Sequence, residues 1–153
     1  YGERLLGATL GFEYQQGWAA DQSLAEALAL GLERDLQQGT SRLGPHRADL
    51  RVRYDERLAR KLVSRGQQKL LASAMILAAA ETAQTELERP LLLLLDDPAA
   101  ELDENSLRGL MEAVGGLGCQ VITTSLQRNT LALPENTAVF HVEHGVLTPE
   151  SAA

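Results

Sequence analysis

Alternation of apolar and polar residues predicts two strands in the first half of the chain, each with one apolar face. They cover residues 10–14 and 50–54, where every second side chain is apolar. Between them, Leu and Ala recur at helical spacing from Asp21, which the pattern favours as the N-cap, to Gly39. Residues 1–63 are therefore predicted to form an antiparallel portion of strands and a helix.

The second half has an order of elements that is typical of a parallel sheet. A helix is predicted for residues 64–85, a strand for the leucines of residues 91–95, a helix for residues 107–114 and a short buried strand for residues 121–122. A continuous apolar strand is expected in the centre of a parallel sheet, where helices cover both faces. The pattern therefore predicts an α/β fold with a parallel core.

The end of the chain has the pattern of a hairpin. Residues 139–142 and 146–147 are rich in apolar side chains and flank a turn at residues 143–145. Residues 148–153 are predicted to be a loose tail. We expect residues 64–153 to form one structural unit with residues 1–63.

The composition favours aliphatic helices packed on a sheet over an all-β sandwich. Of 153 residues, 44% are hydrophobic but only 4% are aromatic. The leucine run of residues 91–95 is far shorter than the roughly 18 residues that a membrane span needs. Cys119 is the one cysteine, which excludes an internal disulfide and a cysteine-rich zinc site. A cytoplasmic protein without a membrane partner is expected.

The charge is unevenly distributed along the chain. The net charge is −7, yet residues 47–69 hold eight Lys or Arg against three Asp or Glu, a balance of +5 that leaves −12 for the remainder. We call residues 47–69 the basic band. An exposed, solvated face accounts for such a band, and so does an anionic partner.

Two adjacent carboxylates, Asp96 and Asp97, directly follow the leucine strand. Ligands of open α/β sheets bind at the carboxyl ends of the strands. Two acids beside an apolar layer are costly unless a cation lies near them, and Mg²⁺ with a nucleotide meets that need. The alternative is that both acids cap the next helix or face water.

A second group of residues lies at the start of the long helix. Ser64 precedes Arg65, Gly66 and Gln67. A serine at a helix start caps the helix and still presents a hydroxyl, and the N-terminal end of a helix attracts anions. The pattern therefore predicts a phosphate site, with a plain helix cap as the alternative.

Three segments together resemble known sequence motifs of ATP-binding-cassette (ABC) ATPases. Residues 64–67 resemble the signature motif, residues 91–97 the Walker B strand and residues 100–103 the D-loop that follows it. With Leu-Gly-Pro-His-Arg-Ala-Asp-Leu at residues 43–50, the set is similar to the RecF family of SMC-like recombination proteins. This resemblance implies part of an ABC-ATPase-like head, with a parallel core sheet covered by helices, added antiparallel strands and a C-terminal hairpin.

The resemblance also implies roles for individual residues. Asp96 would hold Mg²⁺, through water, and Asp97 would be the catalytic carboxylate. Most cassette ATPases have a glutamate at that position, so the shorter Asp97 predicts slow hydrolysis. Asp103 belongs to the D-loop and would lie near a dimer seam. The residues that would contact the γ-phosphate of ATP held by a second subunit are Ser64, Arg65, Gly66 and Gln67.

Two family features have no counterpart in these residues. Ser125 stands where transporter-type cassettes carry a switch histidine. The P-loop pattern Gly-x-x-x-x-Gly-Lys-Ser/Thr does not occur in the 153 residues. The chain opens at Tyr1 rather than Met, as does a chain that is processed, cleaved from a tag or cut from a longer protein. With motifs like the signature and Walker B but no P-loop, it resembles the C-terminal part of a RecF-family protein. We expect this part by itself neither to bind ATP tightly nor to hydrolyse it.

The function implied by the resemblance is an ATP-dependent dimer switch in DNA repair, recombination and replication. Such a protein would form a homodimer on binding ATP and Mg²⁺, bind gapped DNA or single-strand/double-strand junctions, and act with RecO and RecR to load RecA. Two alternatives remain open at this stage. The chain could be part of another SMC-like or transporter-type cassette head, or a dimerisation module without catalysis.

Overall fold

The computed structural model describes residues 1–55, 57–127, 130–134 and 137–150. The chain divides into two compact units: Gly2–Leu71 forms one, and Tyr1 with Ala72–Ala153 forms the other. The division falls within a long helix, α3 (Arg65–Leu87). Among the described residues, no helix is long and apolar enough to cross a bilayer.

The first unit contains a three-stranded antiparallel sheet in the order β1–β2–β3. Its elements are α1 (Gly2–Leu6), β1 (Leu10–Gln15), α2 (Leu24–Gln38), β2 (Asp49–Tyr54) and β3 (Arg57–Leu58). Phe12 lies opposite Val52, and Tyr14 lies opposite Leu50, so the apolar side chains of both predicted strands share one face. The two strands are therefore confirmed, and Glu56 of the turn after β2 lies outside the described residues.

Helix α2 begins two residues later than the sequence pattern predicts. Ser23 is the N-cap: its hydroxyl accepts a hydrogen bond from the Glu26 N–H at 3.2 Å, and the Glu26 carboxylate accepts one from the Ser23 N–H at 2.9 Å. The latter bond lowers the pKa of Glu26. The prediction of Asp21 as the cap was wrong, because Ser23 and Glu26 satisfy two N–H groups reciprocally. Gly39 ends the helix as predicted, with a left-handed φ of 67°.

The second unit is built around a parallel pair of strands. After α3 come β4 (Leu92–Leu95), α4 (Glu104–Gly115), β5 (Gln120–Thr123), β6 (Val139–Glu143) and β7 (Val146–Glu150). Strands β4 and β5 pair in parallel, with Leu95 beside Thr123. The predicted β–α–β arrangement is confirmed, and it brings the carboxyl ends of β4 and β5 to one edge of the sheet.

One face of the parallel pair is exposed. Leu94 and Ile122 lie side by side and are 67% and 51% exposed. On the other face, Val121 lines a cavity together with Leu107 and Met111 of α4. The prediction that helices cover both faces of the leucine strand was wrong, as was that of a buried strand at residues 121–122. The described residues place α4 against one face only.

The most deeply buried side chains of this unit lie on its helices. Leu77 of α3 and Leu110 of α4 are each 2% exposed and are the largest fully buried side chains of the described residues. The Gln84 side chain of α3 donates a hydrogen bond to the Leu117 carbonyl at 3.2 Å. This hydrogen bond joins α3 to the turn that leads from α4 into β5.

The chain ends in the predicted hairpin. His144 and Gly145 form its turn with φ values of 49° and 80°, the left-handed pair that a two-residue hairpin turn requires. Strand β7 continues to Glu150, with Thr148 opposite His141. The prediction of a loose tail was therefore wrong for residues 148–150, because they pair with β6, and residues 151–153 lie outside the described residues.

Candidate functional site

The two adjacent carboxylates lie where the sequence placed them, immediately after β4. Thr124 follows β5 and contacts this segment three times. Its N–H donates a hydrogen bond to the Leu95 carbonyl at 2.9 Å, and its hydroxyl donates one to Asp96 Oδ1 at 2.6 Å. The same hydroxyl accepts a hydrogen bond from the Asp97 N–H at 3.0 Å. A single threonine thus holds both acidic residues at the edge of the sheet.

The backbone turns sharply at the second carboxylate. Asp97 has a φ of 40° and Glu101 a φ of 65°, values in the left-handed region that non-glycine residues seldom adopt. Between them, the Ala100 N–H donates a hydrogen bond to the Asp97 carbonyl at 3.2 Å. Such conformations cost of order 1 kcal/mol or more and persist where surrounding contacts fix them. Residues 97–101 are therefore a defined turn rather than an open loop.

Asp103 is the N-cap of α4. Its Oδ1 accepts hydrogen bonds from the N–H groups of Asn105 and Ser106, both at 3.0 Å, and its Oδ2 accepts one from the Ser106 hydroxyl at 2.6 Å. The Ser106 hydroxyl and N–H lower the pKa of Asp103 because they favour its ionised form. The acid that caps this helix is thus Asp103 and neither Asp96 nor Asp97.

This cap predicts an acid-sensitive contribution to folding. The folded-state pKa of Asp103 lies below its unfolded value of about 3.9, so the stabilisation is present above that value and is lost as the pH falls through the folded-state pKa. We expect Asp103→Asn, which keeps a good capping side chain but does not titrate, to lose less melting temperature than wild type between about pH 5 and pH 2. Thermal unfolding followed by circular dichroism measures this, and equal losses would contradict it.

Residues 64–67 form a reciprocal cap at the start of α3. The Ser64 hydroxyl accepts a hydrogen bond from the Gln67 N–H at 3.3 Å, and Gln67 Oε1 accepts one from the Ser64 N–H at 2.9 Å. Accepting a bond leaves the Ser64 hydroxyl hydrogen available for donation to a ligand. Ser64 and Arg65 are exposed and Gly66 is half-buried. The helix-cap interpretation is therefore correct, and it is compatible with an anion site at the same helix end.

The candidate residues fall into both units of the fold. Ser64, Arg65, Gly66 and Gln67 belong to the first unit, whereas Asp96, Asp97 and Asp103 belong to the second. Within the second unit, the structure brings Asp96 and Asp97 together through Thr124. Ser125, which stands where transporter-type cassettes have a histidine, donates a hydrogen bond to the Gln127 carbonyl at 2.9 Å and accepts one from the Gln127 N–H at 3.3 Å.

Asp96 presents the type of ligand that suits Mg²⁺. The Thr124 hydroxyl engages Oδ1, which leaves Oδ2 for the ion or for one of its waters. Mg²⁺ keeps several waters and is commonly held by one or two carboxylates together with phosphate oxygens. The donor set therefore fits Mg²⁺. Clusters of three or more His, Cys, Asp or Glu that could bind a metal are absent from the part of the chain that the structure describes.

Sequence reasoning missed the contribution of Thr124. The signal was present in the parallel pairing: if Leu95 lies beside Thr123, the next residues of the two strands, Asp96 and Thr124, are also neighbours. Locating this pair needed the register between two strands, which the residue pattern of either strand alone does not provide.

The fold has counterparts among solved proteins, although no family model matches the sequence. A structure of the recombination mediator protein RecF with ATP, in the RecFOR pathway, matches with a TM-score of 0.74 and 23% identity over 97% of this chain and 41% of that one. A second RecF structure matches with a TM-score of 0.72 and 24% identity, over the same shares. The fold is ABC-ATPase-like and matches part of these RecF structures.

Sequence relatives indicate which proteins of this fold the chain is most usefully compared with. The DNA replication and repair protein RecF of Thioalkalivibrio sulfidiphilus is 39% identical over 140 residues, which are 90% of this chain and 39% of the relative. RecF of Chromohalobacter salexigens is 41% identical over 145 residues, 92% of this chain and 40% of the relative. Over the residues that match, the chain is therefore similar to RecF proteins of DNA replication and repair. It spans about two fifths of the length of these relatives.

Proposed function

We propose that these residues are the C-terminal part of a RecF-type ATPase head that closes as a homodimer around ATP and Mg²⁺. The observation that carries the proposal is the pair of carboxylates at the end of β4, held by Thr124 beside a defined turn. Nucleotide sites of α/β sheets lie at this end of the strands. The similar RecF structure was solved with ATP, which supports ATP as the nucleotide.

Each candidate residue has a distinct task in this proposal. Asp96 holds Mg²⁺, which neutralises charge on the phosphates. The carboxylate of Asp97 orients the attacking water and accepts its proton. Ser64 donates its hydroxyl hydrogen to the γ-phosphate of ATP held by the second subunit, where Arg65, Gly66 and Gln67 line the same helix end. Asp103 lies near the dimer seam and keeps the D-loop attached to α4.

The signature serine is the residue to test for contact across subunits. The tests of ATP function use a fusion protein, in which the N-terminal part of a RecF relative is joined in front of these 153 residues. We call this fusion the full-length chain. Mg-ATP is expected to double its mass in solution, and Ser64→Arg is expected to abolish this change because the larger side chain fills the phosphate position. Multi-angle light scattering with and without Mg-ATP measures the effect.

A matched substitution separates the phosphate contact from the helix cap. Ser23 caps α2 through the same reciprocal arrangement, so Ser23→Arg carries a similar folding cost without touching the proposed site. It is expected to dimerise normally with Mg-ATP. Dimerisation that responds neither to ATP nor to Ser64→Arg would instead favour a dimerisation module without catalysis.

We further propose that the assembled protein binds gapped DNA or single-strand/double-strand junctions and acts with RecO and RecR to help load RecA. The relatives are DNA replication and repair proteins, and the solved RecF structure is described in the RecFOR pathway. The basic band supplies a candidate DNA contact. Two of its arginines lie on β2. Arg51 is exposed, and the Arg53 guanidinium forms an ion pair with Glu13 of β1, with 3.6 Å between Nη2 and Oε2.

Charge reversal in the basic band tests the DNA surface. Replacing Arg51 and Arg53 together by Glu is expected to weaken binding of the full-length chain to gapped DNA at least about tenfold at physiological salt, because phosphate contacts dominate such affinities. Fluorescence anisotropy across a salt series measures the affinity. Reversal of Arg4 and Arg34, which lie outside the band, is the control. Equal DNA affinities of the two double variants would show that the basic band does not contact DNA.

A further inference from the structure

The hydroxyl of Thr124 makes two hydrogen bonds whose directions are fixed by each other. It accepts from the Asp97 N–H at 3.0 Å, so its own hydrogen must point elsewhere, and it donates that hydrogen to Asp96 Oδ1 at 2.6 Å. A distance of this size is typical of a charge-assisted bond from a hydroxyl to a carboxylate. The hydroxyl of the neighbouring Thr123 does not take part in this arrangement. It donates instead to the Thr124 carbonyl, at 3.5 Å.

These bonds matter because packing does not orient the first carboxylate. Asp96 is exposed, so without a partner its side chain would rotate among several rotamers. The bond to Oδ1 selects one orientation and leaves Oδ2 for another ligand. The bond from the Asp97 N–H supports a backbone that already has an unfavourable φ of 40°. One side chain from β5 therefore sets both the direction of Asp96 and the backbone that carries Asp97.

We propose that Thr124 is a positioning residue for nucleotide-bound Mg²⁺ and for the attacking water. This inference rests on the proposed function, since it gives Asp96 and Asp97 the tasks stated there. Thr124 acts through these two residues and needs no contact of its own with the nucleotide. Groups that orient a metal-binding carboxylate typically change metal affinity or activity by 10- to 100-fold when they are removed.

The decisive variants separate the hydroxyl of Thr124 from the rest of its side chain. Thr124→Val keeps the shape of the side chain and removes both hydrogen bonds, whereas Thr124→Ser keeps the hydroxyl. Thr123→Val removes the adjacent hydroxyl, which contacts neither carboxylate. Thermal unfolding of all three is measured alongside, so that a general loss of stability is recognised.

The first measurement uses the 153-residue chain and needs no nucleotide. In amide hydrogen exchange by NMR, Thr124→Val is expected to exchange the Asp97 amide several-fold faster than wild type, whereas Thr124→Ser and Thr123→Val are expected to match wild type. Unchanged exchange in Thr124→Val would overturn the proposal, because the hydroxyl would then not hold Asp97.

The second measurement uses the full-length chain and varies Mg²⁺ at constant ATP. Thr124→Val is expected to raise the Mg²⁺ concentration for half-maximal dimerisation roughly tenfold or more, and Thr124→Ser is expected to restore it to within a small factor of wild type. A purely structural threonine would lower the melting temperature without this shift. A normal Mg²⁺ requirement in Thr124→Val would overturn the role of Thr124 alone. Wild type that fails to dimerise with Mg-ATP would overturn the proposed function, and the role of Thr124 with it.

Discussion

In the full-length chain, Asp97→Asn is expected to lower the rate of ATP hydrolysis by a factor of about 100 or more, the range for removal of a positioned general base. Asparagine keeps the size of the side chain but cannot accept the proton of the attacking water. Binding of ATP and closure of the dimer do not need that proton acceptor, so the closed dimer is expected to accumulate. Single-turnover hydrolysis and light scattering measure the two effects separately.

Two further substitutions sharpen this result. Asp97→Glu restores the longer carboxylate of most cassette ATPases and is expected to hydrolyse ATP at least as fast as wild type. Glu104→Gln removes a nearby acid whose partner is Arg108, at 3.1 Å on the surface of α4, and is expected to change neither rate nor dimerisation. Hydrolysis by Asp97→Asn at the wild-type rate would exclude Asp97 as the proton acceptor.

The largest effect on folding is expected from Leu77→Ala. Leu77 is 2% exposed, so the substitution removes buried methylene groups and leaves a cavity in the core of the second unit. Substitutions of this kind lower the free energy of unfolding by roughly 2–5 kcal/mol. Urea unfolding followed by circular dichroism measures the loss.

The same helix offers a matched control for the core. Leu87, at the end of α3, is 60% exposed, and Leu87→Ala is expected to change the free energy of unfolding by no more than about 0.5 kcal/mol. Both substitutions replace Leu by Ala in the same helix, so the same side-chain atoms are removed in the two variants. Equal losses would show that α3 is not stabilised by burial of Leu77.

Local periodicity was sufficient to predict the elements of this fold. The helical spacing that predicted residues 64–85 corresponds to α3 at Arg65–Leu87, because the apolar positions of a helix are set by its own period. The start of α2 was missed because Asp21 and Ser23 are both good capping residues. Only the reciprocal contact of Ser23 with Glu26 decides between them.

Burial was harder to predict than the elements. The leucine run correctly predicted β4, but a run of leucines carries no information on which segments lie against it. Leu94 is 67% exposed because the described residues place a helix on the opposite face only. A prediction of burial on both faces therefore needed the tertiary arrangement, which the leucine run does not encode.

Only the parts of the candidate site that are local in sequence were predicted. Asp96 and Asp97 were identified because strand and carboxylates are contiguous in sequence, and Ser64 because its cap is local. Thr124 reaches the same site from a different strand. Its contact with Asp96 depends on the pairing of β4 with β5, which is a property of the folded chain.

That pairing also bears on the order in which the chain folds. The bond between Thr124 and Asp96 joins residues that are 28 positions apart, and parallel strands meet only after the connecting helix has crossed the sheet. Contacts over such separations form more slowly than the local contacts of a helix, because a long loop must first be closed. A newly made chain is therefore expected to possess α3 and α4 before its two carboxylates acquire their final orientation.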